Sequence, residues 1–515
     1  MIDPRRPSPL SRTDFLIGFL IGIAALALYI RTLAPSLLWG DSAEFQTLSY
    51  TLGMTHPSGY MTQIMFGKLF TYIPVGNIAY RVNLMSAFFG ALAVAETYLI
   101  VRLLGGWKIA GISASILLAL TEGFWWRALL AESYGPAAGM LATIWLLILL
   151  WRNSGRSMYL FLAGLAGGLS VGIHSTVVMT SVSVLIFLTL TSRKRADWLA
   201  AMAGAFLGLA LTFGFFLYLD HNDPSSSIYN TVYRVNISAF GLNPNEFDTP
   251  LRRLFAIFPA KHFWSYYFTA SSAEIGRRLS EYISFFPLWA LLLIGLGAGF
   301  LLKERLPEGL YPLIAFLVIW GFAMTVSFSV YREFFVPVTV ITSVWFGLGA
   351  SASLVFLERR RFQSQSIARI LSSVFMILLV VLPLWQARKD LLPAIKSGYP
   401  LFVRRDHIYP VFAPDKAIND AQKIIAQLDA NAIVFAPWDK LYSYVYTAQI
   451  VDGKTDISFH EAWSTEQERL ADSAIDYIDH NLDTRPIYFT IYMPELPDHY
   501  RIEKMDDTLY RVYRK

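Results

Sequence analysis

Cysteine is absent from all 515 residues, so neither a disulfide nor a thiolate metal site is part of what this chain does. Charge is scarce as well. Only 16% of the residues are Asp, Glu, Lys or Arg, against about 25% in ordinary soluble domains, while 55% are hydrophobic. With a mean hydropathy of +0.44, the composition reads first as a polytopic membrane protein. No glycine-rich phosphate loop opens a helix, so no nucleotide is assigned. There is no internal repeat and no low-complexity tract, and the apolar runs hold few charges. That weighs against a secondary transporter, whose site lies near the midplane between repeated halves. A net charge of +5 and a pI near 9.0 raise nucleic acid as a partner. The basic residues, however, sit in short clusters between apolar runs, the pattern that orients membrane spans, and no nucleic acid is expected.

What the chain does have is a succession of apolar runs. A spanning helix needs about 17–25 apolar residues. Eleven runs are read as spans: 15–30, 82–101, 109–126, 135–151, 158–173, 176–191, 198–219, 283–302, 310–330, 334–357 and 370–385. No small-residue cleavage site follows the first, so it is read as a retained helix. A shorter run, 61–73, is interrupted by Lys68 and reads as a helix lying on the membrane surface. If the N-terminus is inside, the inner segments hold sixteen basic residues: Arg5, Arg6, Arg12, Arg102, Lys108, Arg152, Arg156, Arg193, Lys194, Arg195, Lys303, Arg305, Arg359, Arg360, Arg361 and Arg369. The short outer turns hold only Arg31, Arg127 and Arg332. That asymmetry predicts the N-terminus inside. Asp41, Glu44, His56, Glu132, His174, the loop 220–282, the turn 331–333 and the C-terminal segment then all fall on the outer, extracytoplasmic face.

The expected organisation is a membrane domain over 1–389, with a first outer loop at 32–80 and a large one at 220–282. A soluble α/β domain over 390–515 follows it on the outer face. In that last stretch "NAIVFAP" (431–437), "RPIYFTIYM" (485–493) and "TLYRVYR" near the end read as strands. Helical patterns at 417–428, 439–451 and 465–480 alternate with them.

Chemistry is concentrated in "WGDSAEFQTLSYTLGMTHPSGY", residues 39–60, just outside the first span. Asp41 and Glu44 fit a capping box, Asp as N-cap and Glu at the third helical position. The same spacing puts both carboxylates on one helical face, where a carboxylate fixed in direction by helix-terminal amides suits a general base. Both readings stand together. His56 is either a turn histidine before proline or a ligand-facing imidazole, and Tyr60 either an interfacial aromatic or a substrate contact. Glu96 lies inside the second span, and either serves function or snorkels toward Arg102. Glu132 and His174 each sit at the outer end of a span. Arg332, the only cation of its turn, either grips an anion or pairs with Glu333 or a lipid headgroup.

Five motifs in order, "WGDSAEF", "HPSGY", "RVNLMSAFFGALAV" (81–94), "LLAESYG" (129–135) and "GLSVGIHST" (168–176), resemble a family first labelled a domain of unknown function. That family includes the eukaryotic endoplasmic-reticulum O-mannosyltransferase acting on IPT domains, and it resembles the GT-C superfamily of membrane glycosyltransferases. The match is good over 14–180 and loose beyond. It departs at Ser58, where the usual motif is His-Pro-Pro-Gly. The resemblance implies that the eleven expected spans form a GT-C-like fold, and it implies an inverting transfer of a sugar, mannose by analogy, from a polyprenyl-phosphate donor to an acceptor hydroxyl. By the same analogy the acceptor is Ser or Thr of an exported protein. A lipid or cell-wall glycan acceptor, a transporter and a non-catalytic scaffold remain the alternatives. Asp41 and Glu44 are the expected catalytic pair, and His56, Tyr60, Arg81, Asn83, Glu132, His174, Tyr331 and Arg332 the expected substrate contacts. Two carboxylates could hold Mg or Mn, but Arg and His suffice for a departing lipid phosphate, so neither a metal nor a cofactor is expected.

Overall fold

The computed structural model describes residues 9–327, 331–359, 365–405, 413–463 and 469–515. Residues 328–330 of the ninth apolar run, Arg5, Arg6, Arg360 and Arg361 of the basic clusters, and the first residues of the 465–480 pattern lie outside these. Among the described residues seven helices are long and apolar enough to cross a membrane: Arg12–Thr32, Ile78–Leu103, Tyr134–Ser154, Arg195–Asn222, Leu306–Thr325, Tyr331–Glu358 and Ser366–Ser397. An eighth span arises if Ser272–Ser284 and Leu288–Glu304, bent by 98° at their break, count as one. The break falls at Pro287, which caps the second of the pair and disfavours helix in the residue before it. The other three apolar runs are helical but short, at Lys108–Leu120, Met158–Ser170 and Ser175–Thr191. By length, then, seven or eight spans stand among the eleven helical runs. The chain is an integral multi-pass membrane protein.

Contacts divide the chain into two units. The first takes in Met1–Leu33, Ser86–Thr212 and Ser265–Arg405. Its helices cross backbone to backbone where glycines permit it. A Cβ on Gly297 would lie 1.8 Å from the Trp345 carbonyl, and one on Gly349 would lie 1.9 Å from that of Leu293. In hydrocarbon no hydrophobic drive joins helices, so such close packing supplies the adhesion. Glu96 does not snorkel to Arg102. It is buried and accepts the Thr143 hydroxyl at 2.9 Å. Arg102 pairs instead with Asp14 at 2.8 Å.

The second unit takes in Ala34–Met85, Phe213–Trp264 and Asp406–Lys515. It holds a five-stranded sheet, β1 (Ile433–Ala436), β2 (Ser458–Glu461), β3 (Ile487–Phe489), β4 (Arg501–Asp506) and β5 (Leu509–Tyr513), in the order β2-β1-β3-β5-β4. β1 runs parallel to β2 and β3, and β5 antiparallel to β3 and β4. Helices Lys416–Ile425, Trp438–Tyr446 and Asp472–Asn481 alternate with the strands. Ile433, Phe435, Ile487 and Phe489 pack with Ala474 and Ile478 in a buried cluster, and Phe435 stacks on Phe489 at 4.7 Å.

His460 on β2 is buried, its Nδ1 donating to the Asn230 carbonyl at 3.0 Å. Burial pulls its pKa from the ordinary 6.5 to about 3, so the folded chain keeps it neutral where the unfolded chain protonates it. Stability is therefore lost as pH falls through 6.5, by about 2 kcal/mol at pH 5. His460→Gln, which takes up no proton, is expected to flatten that part of the melting-temperature profile. An equally steep fall in the variant would assign the acid sensitivity elsewhere.

Candidate active site

The first motif folds as the helix Gly40–Thr51, capped by Trp39 without a side-chain hydrogen bond. The expected capping box is not formed. Gly40, at φ +58°, makes the turn into the helix, a conformation open to glycine at no steric cost. Asp41 therefore falls inside the first turn, with its side chain free of capping duty and at the end where the helix dipole favours negative charge. The segment before it is pinned by amides. Gln46 accepts the Leu38 N–H at 3.0 Å and donates to Asn83 Oδ1 at 2.8 Å, and Asn83 in turn donates to the Ala34 carbonyl at 2.9 Å.

Glu44 is fully buried on the same helical face as Asp41. Its Oε1 accepts the backbone N–H of His56 at 2.7 Å and its Oε2 lies 2.5 Å from His56 Nδ1. Burial pushes the Glu44 carboxyl above its ordinary range, against the opposing pull of His56. The His56 ring sits among aromatics, 4.9 Å from Tyr60, 6.0 Å from Phe45 and 5.8 Å from Trp438, the last edge-on. The turn that delivers it closes with Gly59 N–H bonding the His56 carbonyl at 2.9 Å. Gly59 takes φ +93°, again a glycine conformation. Asp41 is only half-buried. Its Oδ1 accepts the indole N–H of Trp438 at 2.8 Å. Behind these groups Tyr442 is buried against the Thr231 hydroxyl at 3.1 Å, and burial beside Glu44 and Glu461 pushes its phenol far up. The second unit thus gathers Asp41, Glu44, His56 and Tyr60 in one cluster.

Arg81 and Asn83 make architectural contacts. Arg81 donates to the carbonyls of Thr71, Val75 and Gly76, closing the end of the helix Met61–Thr71. Asn83 is fully buried and uses both ends of its amide on protein.

Four expected contacts lie in the first unit. Glu132 is buried with its carboxylate 3.9 Å from Arg127, which also pairs with Glu333. His174 caps the helix Ser175–Met179, its Nδ1 accepting Thr176 N–H at 3.2 Å. Its ring lies 4.9 Å from Tyr134 and 5.4 Å from Phe334. Arg332 is exposed and pairs with Glu281 at 3.2 Å rather than with Glu333, and Tyr331 donates to the same carboxylate. Arg278 stacks on the Tyr331 ring at 4.2 Å.

Sequence reasoning misses Arg127, Glu333 and Trp438 as members of these clusters. Arg127 carries a signal, standing five residues before Glu132 in "RALLAE", but its place at a span end reads equally as an anchor. Trp438, 397 residues from its partner, carries none. Among the described residues no three His, Cys, Asp or Glu side chains gather as a metal-binding group; Mg in particular is usually held by one or two carboxylates together with substrate phosphate. Asp41 and Glu44 have different partners, an indole and an imidazole.

Comparison with solved structures defines the class of fold. ArnT from Cupriavidus metallidurans bound to undecaprenyl phosphate superposes with a TM-score of 0.55 over 98% of each chain at 13% identity. The apo form of ArnT gives 0.53 over the same 98% of each chain, at 12% identity. The fold is GT-C-like. Within it, residues 41–198 match the family model described as the protein O-mannosyl-transferase TMEM260 N-terminal domain, a stretch that holds all five motifs apart from Trp39 and Gly40. The chain is 34% identical to the mouse protein O-mannosyl-transferase TMEM260 over 125 residues, 24% of this chain and 18% of that protein. It is 25% identical to the Dictyostelium discoideum protein of the same name over 118 residues, 22% of this chain and 14% of that protein. The chain thus spans less than a fifth of the length of either relative. The comparisons support the resemblance read from the motifs: the fold is GT-C-like, and residues 41–198 are similar to the N-terminal domain of the O-mannosyl-transferase family.

Proposed function

We propose that the chain is an inverting glycosyltransferase that moves a sugar, mannose by likeness to its relatives, from a polyprenyl-phosphate carrier to an acceptor hydroxyl. The observation that carries this reading is the division of labour between the two carboxylates. Glu44 is buried and committed to His56, whereas Asp41 keeps an accessible edge. Asp41 is accordingly the base: it takes the proton of the acceptor hydroxyl as that oxygen bonds to the anomeric carbon and the bond from that carbon to the lipid phosphate breaks. The electron pair leaves with the phosphate, whose developing charge calls for N–H donors. His56 is one such donor. A guanidinium is the better fork for a phosphate, and Arg332 and His174 are proposed as lipid-phosphate contacts by residue type alone. Glu44 acts through His56, as a positioning residue. These steps call on no metal.

A lipid carrier explains why the catalyst lies in a membrane, and the ArnT neighbour bound to undecaprenyl phosphate supports a donor of that type. The names of the relatives support Ser or Thr of a protein as the acceptor. The α/β stretch within 390–515 is the proposed acceptor platform. The reading is tested by offering the purified protein polyprenyl-phosphate mannose with a Ser/Thr peptide, a lipid or a glycan. Mannose on the peptide alone supports the protein acceptor, and mannose on neither peptide, lipid nor glycan removes the enzyme reading.

The basic residues of the inner segments also predict sidedness. A probe cysteine at Lys416 should label with a membrane-impermeant reagent in intact cells, and one at Lys194 should not. The reverse pattern would put Asp41 on the cytoplasmic side and end the proposal of an extracytoplasmic site.

A further inference from the structure

The strand order of the sheet singles out one position. β1 is the middle of the three parallel strands, with β2 on one side and β3 on the other, so the chain leaves β1 toward β2 at the sheet's edge and later returns to pair with β1 on its other side. Open parallel sheets bind ligands outside the carboxyl ends of their strands at such a reversal. Here the carboxyl end of β1 runs through Pro437, the cap of the helix Trp438–Tyr446. The first residue of that helix is Trp438, whose indole N–H donates to Asp41 Oδ1 at 2.8 Å. Its ring stands edge-on to His56 at 5.8 Å and to Tyr442 at 5.6 Å. One side chain from the C-terminal stretch therefore touches both polar groups that the reaction needs.

From this geometry we infer that Trp438 is a positioning residue for the transfer: it holds the Asp41 carboxylate by Oδ1, leaving Oδ2 as the oxygen that takes the acceptor proton, and walls the His56 ring into register. A carboxylate with one oxygen tied to an N–H donor loses rotational freedom, and a base held in its attack orientation needs no reorganisation at the moment of transfer. The C-terminal α/β stretch then contributes to turnover itself, beyond any capture of acceptor. The sequence contains no motif that announces this, because the indole arrives from a strand end far along the chain. The inference rests on the reading of Asp41 as base.

The test is a double-mutant cycle on the full-length protein, with sugar transfer as the readout. Trp438→Phe keeps an aromatic ring beside His56 and removes the N–H together with the indole's five-membered ring. Turnover is expected to fall about tenfold to a hundredfold, the range for a hydrogen bond to a charged group, with the KM for donor and acceptor changed less than about threefold. In an Asp41→Asn background the same substitution should produce no further fall, because its effect runs through that carboxylate. Parent-like turnover in Trp438→Phe would overturn the inference, and so would an equal loss in both backgrounds, which marks damage to the fold. Neither outcome touches the base assignment. That assignment fails separately, if Asp41→Asn alone transfers sugar like the parent.

Discussion

Asp41→Asn is expected to fold and melt like the parent and to lose sugar transfer by at least about 100-fold, the lower range for removal of a general base. The structure sharpens that expectation. Asp41 caps nothing, since the helix begins at Gly40 with Trp39 as its cap, so the substitution removes no cap bond. An asparagine oxygen still accepts the Trp438 N–H, and the volume is unchanged. What is lost is the capacity to take up a proton. A rate loss without a stability loss is the signature of chemistry. Purified Asp41→Asn with parent-like turnover would return the motif to a purely architectural role.

Glu44→Ala is expected to damage both stability and turnover. The Glu44 carboxylate is the partner of the His56 main-chain N–H and of its ring nitrogen, and it is fully buried. Truncation leaves two donors facing a cavity, and breaking such a buried pair costs about 3–5 kcal/mol. The His56 ring then loses its anchor, although the contacts with Tyr60, Phe45 and Trp438 keep it in the neighbourhood. Glu44→Gln should be much milder, because its amide oxygen still accepts the main-chain N–H and its volume fills the site. Thermal melts and turnover measured on the same preparations check this. Equal stability for Ala and parent would mean that the pair contributes nothing to the fold.

Much of the membrane part is legible in the amino-acid sequence. Apolar runs announce helices because membrane burial demands them, and among the described residues every one of the eleven runs is helical. Their lengths are less legible, since run length in sequence takes no account of breaks such as the one at Pro287. Strands β1, β3 and β5 show as β-rich runs, whereas β2 and β4 are the two edge strands, β2 reading Ser-Phe-His-Glu and β4 having residues almost all exposed. Edge strands carry polar residues to discourage pairing, and that hides them from a hydrophobic pattern. Within the site, Glu44 and His56 stand twelve residues apart in neighbouring motifs, but nothing in either motif pairs the two side chains, and the sequence reading sets Glu44 beside Asp41 instead. Trp438 is invisible because the fold alone brings it to Asp41. The capping box fails for a local reason: Gly40 turns the chain into the helix one residue ahead of Asp41.

The most direct test of the central claim follows both products at once, lipid phosphate released and mannose gained by acceptor, using purified protein and a polyprenyl-phosphate mannose labelled in the sugar. Transfer with inversion by way of Asp41 predicts equal molar amounts of the two, an inverted anomeric configuration in the product, and the loss of both signals together in Asp41→Asn. Release of lipid phosphate that continues unchanged in Asp41→Asn, or a labelled product with retained configuration, would contradict it.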